Sequence, residues 1–196
     1  MRVLLLLTTW LLPPISVAQV PFFDLPLITE TSVGRARLGM RFSELRRLYA
    51  GCTFMPVSLS QYGLGELADK PDAVLVSKDG RKLFVYFDDY ELSNNKEMHT
   101  KRLAGLIALH PGYCTKQGIH AGSASGELRR ALPTIKVAPS PIPLFDVQEA
   151  RIAQSTITYV FVGQKELGLP DKKPHVGPVP LASASGRISW IQLCCQ

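Results

Sequence analysis

The chain has few of the features that announce a reaction. It holds four histidines and four cysteines in 196 residues. The cysteines show no C-x-x-C spacing and no histidine stands beside them in a ligand pattern, so no metal site is expected. There is no G-x-S-x-G nucleophile elbow. Gly63-Leu64-Gly65 lacks the third glycine and the preceding strand of a dinucleotide loop. Gly118 to Ser123 lacks the lysine of a phosphate loop, and no cofactor is expected. Asp88, Asp89 and Glu91 are the nearest thing to paired carboxylates, and they read as a solvated acidic turn after a strand. His120, between two glycines, reads as a tolerated surface residue. No N-x-[ST] acceptor occurs, so a heavily glycosylated ectodomain is not indicated. Aromatic residues make up 8% and are not interleaved with the paired basic residues, which argues against a nucleic-acid platform. Beyond the N-terminal segment no apolar run reaches the roughly 20 residues of a membrane span. An envelope hydrolase is an alternative reading of the chain, as is a purely structural periplasmic domain.

What is present begins with an address. Arg2 supplies a positive charge, Val3 to Leu7 and Trp10 to Leu12 form a short apolar core, and Pro13-Pro14 ends it. Ser16-Val17-Ala18 places small residues at −3 and −1 of a cut before Gln19. This is the pattern of a secretory signal peptide over residues 1–18, cleaved near Ala18, and it predicts a periplasmic or secreted protein. No cysteine follows the cut, so lipid attachment there is not expected. The formal charge of +6 favours anionic partners, though the basic residues are scattered. In an oxidising compartment Cys52, Cys114, Cys194 and Cys195 are disulfide candidates. Four cysteines allow three connectivities. The adjacent pair would form a strained ring, which leaves Cys52 with Cys114, or either with the C-terminal pair.

The strongest internal signal is a repeat. Gly39 and Gly122 are each followed five residues later by Glu-Leu-Arg-Arg, at Glu44–Arg47 and Glu127–Arg130. Residues 81–87 resemble 155–162, aligning Tyr86 with Tyr159, and 103–109 resemble 187–193. The order of these matches predicts a duplication with a period of about 84 residues. Each copy reads as a glycine turn, a short amphipathic helix and then antiparallel strands. Phe42, Leu45, Leu48 and Tyr49 form the apolar stripe in copy one, and Leu128, Ala131 and Leu132 in copy two. Glu44–Arg47 and Glu127–Arg130 read as solvated i,i+3 pairs. Ser123 is the expected N-cap of the second helix, and Gly51 and Pro133 stop the two helices. Lys78-Asp79-Gly80 predicts a hairpin between 73–77 and 81–87, because Asp-Gly tolerates positive φ at both turn positions. Residues 154–162 and 187–193 are expected strands, with irregular loops at 55–71, 138–143 and 163–186.

The two openings, Gly39-Met40-Arg41-Phe42-Ser43-Glu44-Leu45 and Gly122-Ser123-Ala124-Ser125-Gly126-Glu127-Leu128, resemble the module start of two envelope families. One is the small outer-membrane assembly lipoproteins, with a single module; this chain lacks their lipid-attachment cysteine. The other is the tandem-repeat β-lactamase inhibitor proteins, with two modules forming a concave sheet. The resemblance implies an α+β fold of two tandem modules, each a short helix on a three- to four-stranded antiparallel sheet. It divides the chain into residues 1–18, an N-terminal segment 19–29, and modules 30–114 and 115–196. It also implies a binding role, with Asp79 as the hairpin acid that enters a partner, and Tyr86, Tyr159 and Trp190 on the concave face. The expected function is an exported binding or envelope-maintenance protein whose partner is an envelope or secreted protein, with neither partner nor oligomeric state readable from the sequence.

Overall fold

The computed structural model describes residues 27–62, 64, 71–87, 100–139, 147–163, 167, 178–182 and 185–194. The signal-like segment and Cys195 lie outside these residues. The described chain is α+β, with two short helices and two sheets. A small sheet is built from β1 (Leu27–Ile28), β2 (Ser32–Val33), β3 (Ala36–Arg37) and β8 (Cys114–Thr115), in the order β3-β2-β1-β8. Here β1 runs parallel to β8 and so ties residues 27–37 to the middle of the chain.

The large sheet has nine strands in the order β12-β9-β10-β11-β13-β7-β6-β5-β4. Its first-half members are β4 (Thr53–Val57), β5 (Ala73–Lys78), β6 (Arg81–Phe87) and β7 (Leu103–Ala108). Its second-half members are β9 (Lys136–Pro139), β10 (Val147–Arg151), β11 (Ile157–Val162), β12 (Val179–Pro180) and β13 (Trp190–Cys194). The sequence led us to expect a separate small sheet for each half. Instead β7 and β13, the last strand of each half, pair antiparallel and fuse the two runs into one sheet. The register opposes Ile107 to Gln192, with Leu106 facing Leu193 and Ala108 facing Ile191.

Both helices, α1 (Phe42–Leu48) and α2 (Ser125–Ala131), contribute buried residues to one core cluster. Leu45 and Leu128 are each fully buried there, beside Val85, Leu106, Tyr159, Ile191 and Leu193. Truncating either leucine to alanine costs about 2–5 kcal/mol on the usual scale for such sites. The helices are held by like contacts. Gly39 N donates to Leu103 O (2.8 Å) and Gly122 N to Ile188 O (2.7 Å). Phe42 N donates to Lys101 O (2.9 Å) and Ser125 N to Gly186 O (2.7 Å). Arg102 Nη1 donates to Gly39 O (2.7 Å) and Arg187 Nη1 to Gly122 O (2.9 Å). An added Cβ at Gly39 or Gly122 would meet nothing within 4 Å. It is therefore the positive φ, 74° and 94°, and not crowding, that calls for glycine at both turns.

Several local expectations are corrected. The N-caps are Arg41 and Ala124, not Ser123. Glu44 and Glu127 reach back to accept the cap N–H, at 3.3 Å and 2.9 Å, as the acid of a capping box does. Ser123 is buried and its hydroxyl accepts the His120 N–H at 3.1 Å. Strand β11 begins at Ile157, because Gln154 takes a φ of 65° in the turn before it. Strand β13 begins at Trp190, with Arg187 only bridging Ala124. Part of the expected loop 55–71 belongs to β4 and to a 3-10 turn at Leu59–Tyr62. Strands β9, β10 and β12 were likewise not foreseen as strands.

Candidate interaction surface

The large sheet has two unlike faces. One lies under the helices. The other carries Val57, Ala73, Leu75, Phe84, Ile107, Val160 and Trp190, joined as a second apolar cluster with Leu59 and Leu64. Tyr86, Leu109, Val147 and Val162 are partly buried against it. Tyr62 closes on this face edge-to-face with Phe84, at a centroid distance of 4.9 Å.

The aromatic residues expected to form one concave patch are divided between the faces. Tyr159 points into the helix-side core and is 3% exposed, and Trp190 is 7% exposed on the opposite face. Tyr86 shares that second face and alone of the three is half-buried. The cause is register. Tyr86 pairs with Gly105, and Val160 pairs with Trp190, while Tyr159 pairs with Ile191. Tyr86 therefore lies on the sheet face of Val160 and not on that of Tyr159, since a one-residue slip moves a side chain to the other face of a sheet. A Cβ at Gly105 would stand 1.8 Å from Tyr86 Cζ, so the tyrosine ring occupies the space of an absent side chain. In the second half Val160 stands opposite Trp190, as Tyr86 stands opposite Gly105 in the first. Gln192 Nε2 donates to Tyr86 Oη at 3.3 Å, which fixes the ring over the seam between β7 and β13.

Asp79 lies at the tip of the β5–β6 hairpin, exposed, with φ values of 51° at Asp79 and 78° at Gly80. Lys78 and Arg81 close that turn as a cross-strand pair. The hairpin expected from Asp-Gly is present, and its acid is presented to solvent between basic neighbours.

Around His120 lies a shallow groove of about 470 Å³, lined by residues that include Gln117, His120, Ser123, Glu127 and Arg130. His120 Nδ1 lies 2.8 Å from Ala121 O, and a carbonyl can only accept, so Nδ1 carries the proton in that bond. The Ser123 hydroxyl accepts the His120 backbone N–H. Glu127 is committed to the helix cap. Among the described residues no cluster of three or more His, Cys, Asp or Glu side chains could hold a metal ion.

No disulfide joins Cys52, Cys114 or Cys194 to one another. Burial pushes the Cys52 thiol up, opposed by the nearby Lys78 ammonium. In the core beside it, burial raises the hydroxyls of Tyr49 and Tyr113, which neighbour each other. Ala36 N donates to Tyr49 Oη at 3.2 Å and so fastens the small sheet to α1. Glu30, which the sequence did not single out, bridges the β1–β2 turn to the β10–β11 turn. It accepts from Thr156 N (2.8 Å), Thr156 Oγ1 (2.8 Å) and Ser155 Oγ (3.0 Å). Burial works to raise its carboxyl, but these donors outweigh it and leave Glu30 more acidic than usual.

No family model matches the chain, and no curated protein matches it. The fold is similar to that in the crystal structure of the uncharacterized protein yfeY from Escherichia coli. That similarity has a TM-score of 0.50 at 12% identity and covers 86% of this chain and 99% of that one. At that identity the likeness concerns the fold alone.

Proposed function

We propose that this is an exported, non-catalytic binding protein made of two copied units joined edge to edge, and that it meets an envelope or secreted protein through the sheet face opposite α1 and α2. The observation that carries the reading is the placement of both described helices against one core cluster, with Tyr86 and Gln192 partly exposed on the other sheet face beside a second, buried apolar cluster. Duplication is supported by the like hydrogen bonds at Gly39 and Gly122 and by the opposite strand order of the two halves. Export is supported by the charged start, short apolar core and Ser16-Val17-Ala18. On a mixed sheet face a half-exposed tyrosine beside a glutamine suits a protein contact, because an aromatic ring offers large area at low entropy cost and a polar tip.

A photo-crosslinking amino acid placed at Tyr86, in the cells that make the protein, tests the reading. A discrete protein adduct is expected there, weakened by Gln192→Ala and absent when the crosslinker is placed at Lys116 on the second half's surface. Adducts at Lys116 and none at position 86 would remove the sheet face opposite the described helices from consideration.

A further inference from the structure

We infer that the α1 side of the first half docks on an acidic lipid surface, leaving the opposite sheet face pointing away from the bilayer. Six cations gather around α1. Arg37 and Arg41 are exposed, and Arg41 bridges Arg102 across an antiparallel pair. Arg46 and Arg47 lie on the outer side of the helix, Arg46 with its guanidinium carbon 5.4 Å from the Phe54 ring centroid. Lys78 Nζ lies 4.0 Å from the place of a Gly51 Cβ, just past the helix end.

None of the six forms an ion pair with a carboxylate among the described residues, where Arg151–Glu149 is a salt bridge of the other half. Glu44, the acid on the same helix, is occupied by the Arg41 backbone N–H. Such a concentration of like charges costs the folded state self-repulsion, which an anionic surface relieves.

The second half supplies a contrast. The counterparts of Arg37 and Arg41 are His120 and Ala124. The arginines matching Arg46 and Arg47 are turned onto carbonyls: Arg129 Nη1 on Ala182 O at 2.6 Å and Arg130 Nε on Gly126 O at 3.4 Å. The second half therefore lacks two of the cations that surround α1, while Arg129 and Arg130, like Arg102, hydrogen-bond to carbonyls.

A lipid surface fits better than an acidic protein. Arg37, Arg41, Arg46, Arg47 and Arg102 are all exposed and are spread over β3, the start and outer side of α1, and the residue before β7. Leu48, 42% exposed, stands next to Arg47 at the end of that helix. Mobile headgroups can neutralise such a spread without matched geometry, while the leucine enters the headgroup boundary.

The test is flotation of the full mature chain with vesicles of phosphatidylcholine alone, or of phosphatidylcholine with phosphatidylglycerol. Co-flotation is expected only with the acidic vesicles and is lost at high salt. The triple variant Arg37→Glu, Arg41→Glu, Arg47→Glu should bind them about a hundredfold or more weakly. The variant Lys116→Glu, Arg130→Glu, Lys136→Glu carries the same charge change on the second half and should bind within a few-fold of wild type. Circular dichroism of both variants establishes that each is folded. Equal loss in the two variants, or equal flotation with neutral vesicles, would overturn the inference. Binding of soluble polyglutamate with no vesicle binding would overturn it too, and would assign the cluster to an acidic polypeptide. The crosslinking outcome at Tyr86 concerns the opposite face, so either result can fail without the other.

Discussion

The ring of Tyr86 lies over Gly105, so close that a Cβ there would be 1.8 Å from Cζ. Since β6 and β7 are interior strands of the large sheet, neither can move aside without breaking its ladder. Gly105→Ala is therefore expected to destabilise the protein by about 1–3 kcal/mol. Adding Tyr86→Val, the residue type of Val160 in the second half, should recover most of that loss. Urea unfolding of the two single variants and the double variant measures the coupling, and additive losses would show that the ring does not cause the cost.

Glu30 links two turns more than a hundred residues apart in the chain, through Ser155 and Thr156. Its carboxyl is more acidic when folded than its ordinary value of 4.5. The latch therefore stabilises the fold above that pH and is lost as the pH falls through the lower folded value. Glu30→Gln should lower stability by roughly 1 kcal/mol at neutral pH, a small figure because the group is exposed. The difference from wild type should shrink on acidification, as seen in unfolding midpoints from pH 7 downward.

Tyr159 behaves in the opposite sense. Burial pushes its hydroxyl up to about 12, opposed by a hydrogen bond with Thr115. The neutral ring is favoured in the fold, so its contribution is intact below the ordinary value of 10.0 and is lost as the pH rises through the folded value. Tyr159→Phe should flatten the alkaline fall in stability between those two values, followed by tyrosinate absorbance together with circular dichroism.

Both outer strands of the large sheet carry a proline, Pro56 in β4 and Pro180 in β12. A proline withholds a donor that an incoming strand would need, one of the ways exposed edges are kept from pairing. Pro56→Val should leave the monomer folded but promote concentration-dependent association, detected by light scattering. A variant that remains monomeric at high concentration would show that some other feature guards this edge.

What the sequence revealed was what is encoded locally. Gly39 and Gly122 with their Glu-Leu-Arg-Arg stretches mark both helix starts because a turn and a single helical turn need only a few adjacent residues. Asp79-Gly80 marks the hairpin for the same reason. The strands β4, β9 and β10 were illegible since Pro56, Pro139 and the polar run Val147–Arg151 mask any apolar alternation; they gain their state from long-range partners. The joining of β7 to β13 has no local signal at all, as it is a pairing between residues about 85 positions apart. The division of Tyr86 and Tyr159 between faces turned on one residue of alignment, which similarity of short β-rich segments does not fix. Glu30 was hidden because its partners lie far along the chain.

The seam between the halves is where the architecture can be checked most directly. Backbone nuclear Overhauser contacts in the isotope-labelled full chain should place Ile107 opposite Gln192, Leu106 opposite Leu193 and Ala108 opposite Ile191. That symmetric register is the result expected if two like units meet last strand to last strand. A shift of even one residue, or a different neighbour for β7, would contradict both the joined halves and the shared binding face drawn from them.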